Sequence, residues 1–151
     1  MSSPLFYVRF FVLVLLFSGF RMIGYSQAYL IDSLKTVLQT NPPQDDDDYL
    51  WVLNQISFYY AFIQPDSGVK YSRIFLSESK ARSDEANQAR AWKNLGGNYD
   101  FLGEFDSSII AYQEALARFQ NLELLGDVAS VYSSISSVYH NNNRLYYDKF
   151  L

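Results

Sequence analysis

Residues 89–116, ARAWKNLGGNYDFLGEFDSSIIAYQEAL, decide how the rest of the chain is read. Trp92, Leu95, Gly96 and Tyr99 stand at i, i+3, i+4 and i+7, a single stripe on a helix of 3.6 residues per turn. Gly103 interrupts that helix, and a partner helix starts near Phe105. Ser108, Tyr112 and Ala115 give the partner a small-large-small face at i, i+4 and i+7. Gly96, lacking a side chain, lets the two helices approach closely. The stretch predicts an antiparallel helix pair.

The same stripe recurs on both sides. Upstream, Leu53-x-x-Ile56-Ser57-x-x-Tyr60 matches it, and Gly68 falls within one residue of the small position of its second helix. Downstream, Tyr132-x-x-Ile135-Ser136-x-x-Tyr139 matches it again. Tyr60 and Tyr99 are 39 residues apart, and Tyr99 and Tyr139 are 40. Between the stripes the breakers fall where helix ends are needed: Thr40-Asn41-Pro42-Pro43, Gln64-Pro65-Asp66-Ser67, Gly103, Asn121 to Gly126 and Asn141-Asn142-Asn143. Helices are expected over about 29–39, 49–62, 65–79, 83–102, 105–119, 127–140 and 144–151.

The pattern W-x2-L-G-x2-Y is the first-helix signature of the tetratricopeptide repeat, and Trp92, Leu95, Gly96 and Tyr99 match it in full. From about Tyr49 to Leu151 the chain resembles this family, in the longer-period form found in exported bacterial repeat proteins and in sensor regions of signal transducers. The resemblance implies an all-α protein, an α-α superhelix (TPR-like solenoid) of antiparallel helix pairs. The repeats would cover about 49–82, 83–122 and 123–151, the last incomplete. Three departures stand out. Ser108 occupies a position usually held by alanine, and Gln120 lies near the family's terminal proline. The period exceeds the family's ~34 residues, so helices or connections must be longer by about a turn and a half. HEAT-type pairs come closer in period but lack the stripe.

The chain has 151 residues, 49% of them apolar and 19% charged, a globular balance. Residues 1–28 read as an export signal: Arg9, the apolar run Phe10 to Phe17, then Ser26-Gln27-Ala28 with small residues flanking a cleavage point. The apolar core from Phe10 to Phe20 is far shorter than the ~20 residues a membrane-spanning helix needs. The expected protein is exported, periplasmic or secreted, with residues 29–48 forming an N-terminal helix and an acidic linker. Membrane contact is expected only through an uncleaved signal or a segment downstream of Leu151. Net charge is −4, and removing Arg9 and Arg21 leaves 10 basic against 16 acidic residues, or −6. Such a chain lacks the basic face that nucleic acid requires. With no cysteine, disulfide frameworks and thiolate chemistry are excluded.

The sequence holds no complete catalytic pattern. His140 stands alone at a helix end, with no triad or metal partner nearby in sequence. Gly96-Gly97 and Gly103 lie in a helix pair, not in the strand-turn-helix of a phosphate loop. The serines between Ser130 and Ser137 follow helical spacing and lack a nucleophile elbow. Asp45 to Asp48 lack the alternate ligand spacing and turn glycine of a calcium loop, and instead suit a helix N-terminus. No enzyme activity, cofactor or metal is expected.

A binding surface is the expectation that remains. In the resembled family, first helices line a concave groove and contact ligands through residues flanking the packing stripe. Carried over, these are Arg90, Lys93, Gly97, Asp100 and Phe101 in the central repeat. The looser matches give Trp51, Asn54 and Phe58 upstream and Ser130, Ser133 and Ser137 downstream. The expected partner is a protein or peptide, held by a non-catalytic scaffold. A carboxylate clamp of the family's kind is not expected, because Lys93 and Asn94 are isolated matches to it. The alternative is the N-terminal sensory region of a truncated signal transducer with a histidine kinase, cyclase or helix-turn-helix output. Leu145, Tyr146, Tyr147, Phe150 and Leu151 are too apolar for an end cap, so a longer protein or self-association through the C-terminal end is also expected.

Overall fold

Six helices follow one another along residues 27–148, the part of the chain that the computed structural model describes. They are α1 (27–40), α2 (Asp46–Tyr60), α3 (Pro65–Ala81), α4 (Glu85–Phe101), α5 (Phe105–Asn121) and α6 (Leu125–Asp148). There is no strand among the described residues. The export signal falls almost wholly outside them. None of the described helices is long and apolar enough to cross a membrane.

Local chemistry explains most boundaries. Asp45 caps α2, its carboxylate accepting from the amides of Asp47 (2.9 Å) and Asp48 (3.2 Å). Asp46, Asp47 and Asp48 fill the first turn, where the helix dipole favours negative charge. Helix α2 thus starts three residues before the expected Tyr49, because the aspartates are inside it. Pro65 opens α3 at a position where its missing amide costs nothing. Asp84 caps α4, accepting from Asn87 N at 2.9 Å.

One turn, used three times, sets the repeat. Ser83, Gly103 and Glu123 each adopt positive φ, at 57°, 75° and 56°. After each, the next amide reaches back across the helix end: Asp84 N to Ser79 O, Glu104 N to Tyr99 O and Leu124 N to Phe119 O. This is the Schellman closure. The helices on either side begin at residues 65, 85, 105 and 125, a 20-residue beat. Two 17-residue helices with two three-residue connections therefore make the forty-residue period. The extra length anticipated from the spacing lies in the helices.

Each helix packs antiparallel against the next, and α2, α4 and α6 also touch in sequence along one side. Outer helices α3 and α5 do not meet among the described contacts. An inner row in contact and an outer row splayed apart give a curved ribbon, an α-α superhelix. Helix α1 covers the N-terminal end, with Leu34 packed on Val52 and Ile56 of α2. The central core joins Leu50, Leu53, Phe75, Leu76, Ala91, Leu95 and Ala111. A second core joins Ala89, Tyr112, Ala115, Phe119, Val131 and Val138. Gly96 behaves as its spacing predicts. A Cβ there would lie 2.7–2.8 Å from the Tyr112 ring, so only glycine admits α5 so closely. Ser108 completes the contact by donating to Gly96 O at 2.8 Å.

The C-terminal end differs from expectation. Asn141-Asn142-Asn143 does not turn the chain, and α6 runs through it to Asp148. Asparagine is a mediocre helix former, costing ~0.7 kcal/mol per residue against alanine, but neither proline nor glycine is present to force a break. Gly126, assigned to a connection, lies in the first turn of α6.

Candidate functional site

Two adjoining clefts run along the inner row. One, of about 210 Å³, is lined by Phe58, Ala61 and Phe62 from α2 and its C-terminal turn, by Lys93, Asn94, Gly97, Asn98 and Phe101 from α4, and by Tyr112, Ser130 and Ser134. The other, of about 270 Å³, is lined by Asn54, Gln55 and Phe58, by Arg90, Lys93 and Asn94, and by Asp127. They share Phe58, Lys93 and Asn94 and form one groove.

Its apolar end is an aromatic group. Phe62 meets Phe58 edge-on with ring centroids 5.4 Å apart, and meets Phe101 edge-on at 5.2 Å. All three rings are about half exposed: 46% for Phe58, 50% for Phe62 and 56% for Phe101. Edge-to-face pairing orders the rings and leaves their outer faces to solvent. Rings of this size are normally covered, so their clustering here marks a surface able to hold an apolar group.

The polar end carries Arg90 and Lys93 on successive turns of α4. Lys93 lies 3.6 Å from Asp127 of α6, and Arg90 donates to Asn87 Oδ1 at 3.0 Å. Beneath them, an amide network joins α2 to α4. Asn94 Nδ2 donates to Asn54 Oδ1 (2.8 Å) and Ser57 Oγ (2.7 Å). Asn98 Nδ2 donates to Asn94 O (2.8 Å) and Ser57 O (3.1 Å). Asn98 is fully buried, and its Oδ1 has no hydrogen-bond donor. That oxygen fills the space where a side chain on Gly68 would stand: a Cβ there would come within 1.6 Å. Gly68 is thus the small residue that makes room for the network.

Of the residues named from sequence, Asn54, Phe58, Arg90, Lys93, Gly97, Phe101 and Ser130 come together in this groove. Trp51, Asp100, Ser133 and Ser137 do not line it. Trp51 is exposed on α2, a turn before Asn54. Ser133 and Ser137 are exposed on α6, where Ser130 and Ser134, one turn apart, face the cleft instead. Asp100 is half-buried between α4 and α6. Burial raises its carboxyl above the ordinary range, and its Oδ1 is buried without a hydrogen-bond partner. Burial likewise raises the Tyr112 hydroxyl.

Sequence reasoning missed Phe62, Asn94 and Ser134. Asn54, Asn94 and Ser134 are spaced by forty, the repeat period, so a polar residue recurring at one register was the available signal. Phe62 had a fainter one, four residues after Phe58 on the same face. The chain matches none of the protein-family models compared with it, and no curated protein matches it.

Proposed function

We propose that this chain is a non-catalytic, tetratricopeptide-like scaffold that holds a peptide segment of another protein in the groove between α2, α4 and α6. The observation that carries the reading is the convergence of seven sequence-named positions on one concave surface whose rim is three half-exposed phenylalanines. The tetratricopeptide assignment draws support from the fit of Gly96 under Tyr112 and from burial of Leu95. The long helices account for the forty-residue period without a change of pairing.

The shape of the groove favours side chains over whole small molecules. Sites that enclose drug-sized ligands bury most of the ligand, whereas both clefts here are open to solvent. Specific recognition then comes from a few apolar anchors and a polar rim.

A photo-crosslinking residue at Phe101, with a second copy of the experiment at Ile110 on the outer helix α5, tests this in the cell that makes the protein. Crosslinks to a protein partner from position 101 and not from 110 are the expected result. Equal crosslinking from both positions, or none from either, would sink the reading.

A further inference from the structure

The groove's two ends differ in chemistry, and that difference specifies a ligand more closely than a scaffold reading alone. At one end, Phe58, Phe62 and Phe101 cluster edge to face, and Lys93 is the one charged residue lining their cleft. At the other, Arg90 and Lys93 stand against a single acid, Asp127. The local balance is positive on a chain whose net charge is −4. Resting on the scaffold reading, we propose that the groove selects a short acidic peptide segment bearing a bulky apolar side chain. The apolar group seats on the three phenylalanines, and an Asp or Glu a few residues away meets Lys93 and Arg90.

The contacts now made by these two cations are exchangeable. Lys93 and Asp127 are separated by 3.6 Å, beyond hydrogen-bond distance, and both side chains are about 30% exposed. A ligand carboxylate can therefore join or displace Asp127 without stranding a buried charge. Arg90 has five N–H donors, and among the described residues it spends one on Asn87. Asn54 accepts from Asn94 with Oδ1, so its amide NH2 remains to donate to a ligand backbone carbonyl. The polar end thus offers two cations and one neutral donor to a chain that brings acceptors. Electrostatic complementarity of this kind governs partner choice and on-rate more than raw affinity.

The test is selection of a random 12-residue phage-displayed peptide library on the immobilised full chain, then binding of one synthetic selected peptide by fluorescence anisotropy. Enrichment of Phe, Trp or Leu together with Asp or Glu is the expected outcome. Phe101→Ala should then weaken the peptide by about tenfold, and Lys93→Glu or Arg90→Glu by about five- to tenfold. A peptide with its acids changed to lysine should lose binding to the native chain and regain it with Lys93→Glu. Circular dichroism of each variant checks that the helices persist, which the exposure of Phe101 and Lys93 favours. If selected peptides lack acids, or ignore both charge reversals while still losing affinity with Phe101→Ala, the acidic specificity is overturned and the scaffold reading stands. If no peptide is selected, or the selected peptide ignores Phe101→Ala and both reversals alike, both fall.

Discussion

Helices α4 and α6 carry the same stripe forty residues apart, and they treat it in opposite ways. On α4, Leu95 and Gly96 are buried, with Trp92 and Tyr99 half-covered by α5 and the neighbouring cores. On α6, Tyr132 and Tyr139 are more than half exposed, and Ser136 is open to solvent. Helix α6 instead packs through Val131 and Val138, each one residue before a stripe tyrosine. A helix in such a ribbon has two apolar faces, one for its predecessor and one for its successor. Among the described residues α6 has only the first contact. The stripe marks what a helix is able to bury, and burial follows only when a neighbour arrives.

Substitutions can break that comparison. Leu95→Ala should lose about 2–4 kcal/mol of unfolding free energy in urea titrations, the usual cost of emptying a buried site. Tyr139→Ala, at the exposed end of the α6 stripe where α4 has Tyr99, should stay within about 0.5 kcal/mol. Equal losses would mean that the α6 stripe is covered in solution. A second contrast uses the small position. Gly96→Ala should cost about 1–2 kcal/mol, as overpacking against Tyr112 outweighs the gain in helix propensity. Ser136→Ala, forty residues on, should be neutral or slightly stabilising by the same measurement.

The three turns sharpen the comparison between repeats at lower stakes. Ser83 and Glu123 hold positive φ, a conformation that costs a residue with a side chain roughly 1–2 kcal/mol. Ser83→Gly and Glu123→Gly should each raise stability by about 0.5–1 kcal/mol, whereas Gly103→Ala should lower it by about 1 kcal/mol. Thermal melts resolve the opposite signs. The smallest effect concerns Asp100, whose carboxyl burial holds above the ordinary carboxylate range. The native state therefore binds this proton more tightly than the unfolded chain does, and stability falls as pH rises through the native value. Asp100→Asn should melt slightly higher than the parent at pH 7, with the advantage shrinking below about pH 4. A larger advantage at low pH would contradict the sign.

The helix pairs were legible because packing stripes recur with the helical period, and Leu95, Gly96, Tyr112 and Ala115 all lie where that period puts them. Pro65 and Gly103 marked their boundaries through local chemistry that needs no tertiary context. The turns at Ser83 and Glu123 were less visible, since neither residue advertises positive φ. The supposed turn at Asn141–Asn143 failed for the converse reason. Asparagine permits such a turn without requiring it, and no partner helix in the described structure rewards the bend. Within the groove, Phe58, Lys93 and Phe101 were readable as flanks of the stripe. Asn94 was not, because its place is set by Asn54 and Ser57 across the seam to the preceding repeat. Contacts between repeats leave a weaker trace than contacts inside one.

The amide network around Asn98 has a mechanical consequence. Sliding α4 along α2 by one turn would detach the Asn94 and Asn98 donors together and drive Asn98 into backbone where Gly68 no longer yields, so this seam resists shear as a dowelled joint does. The seam from α4 to α6 carries a loose ion pair, Lys93 with Asp127 at 3.6 Å. Bending of the ribbon should therefore concentrate at the second seam, where Lys93 meets Asp127 at the polar end of the groove, leaving the first two helix pairs to move as one stiff block.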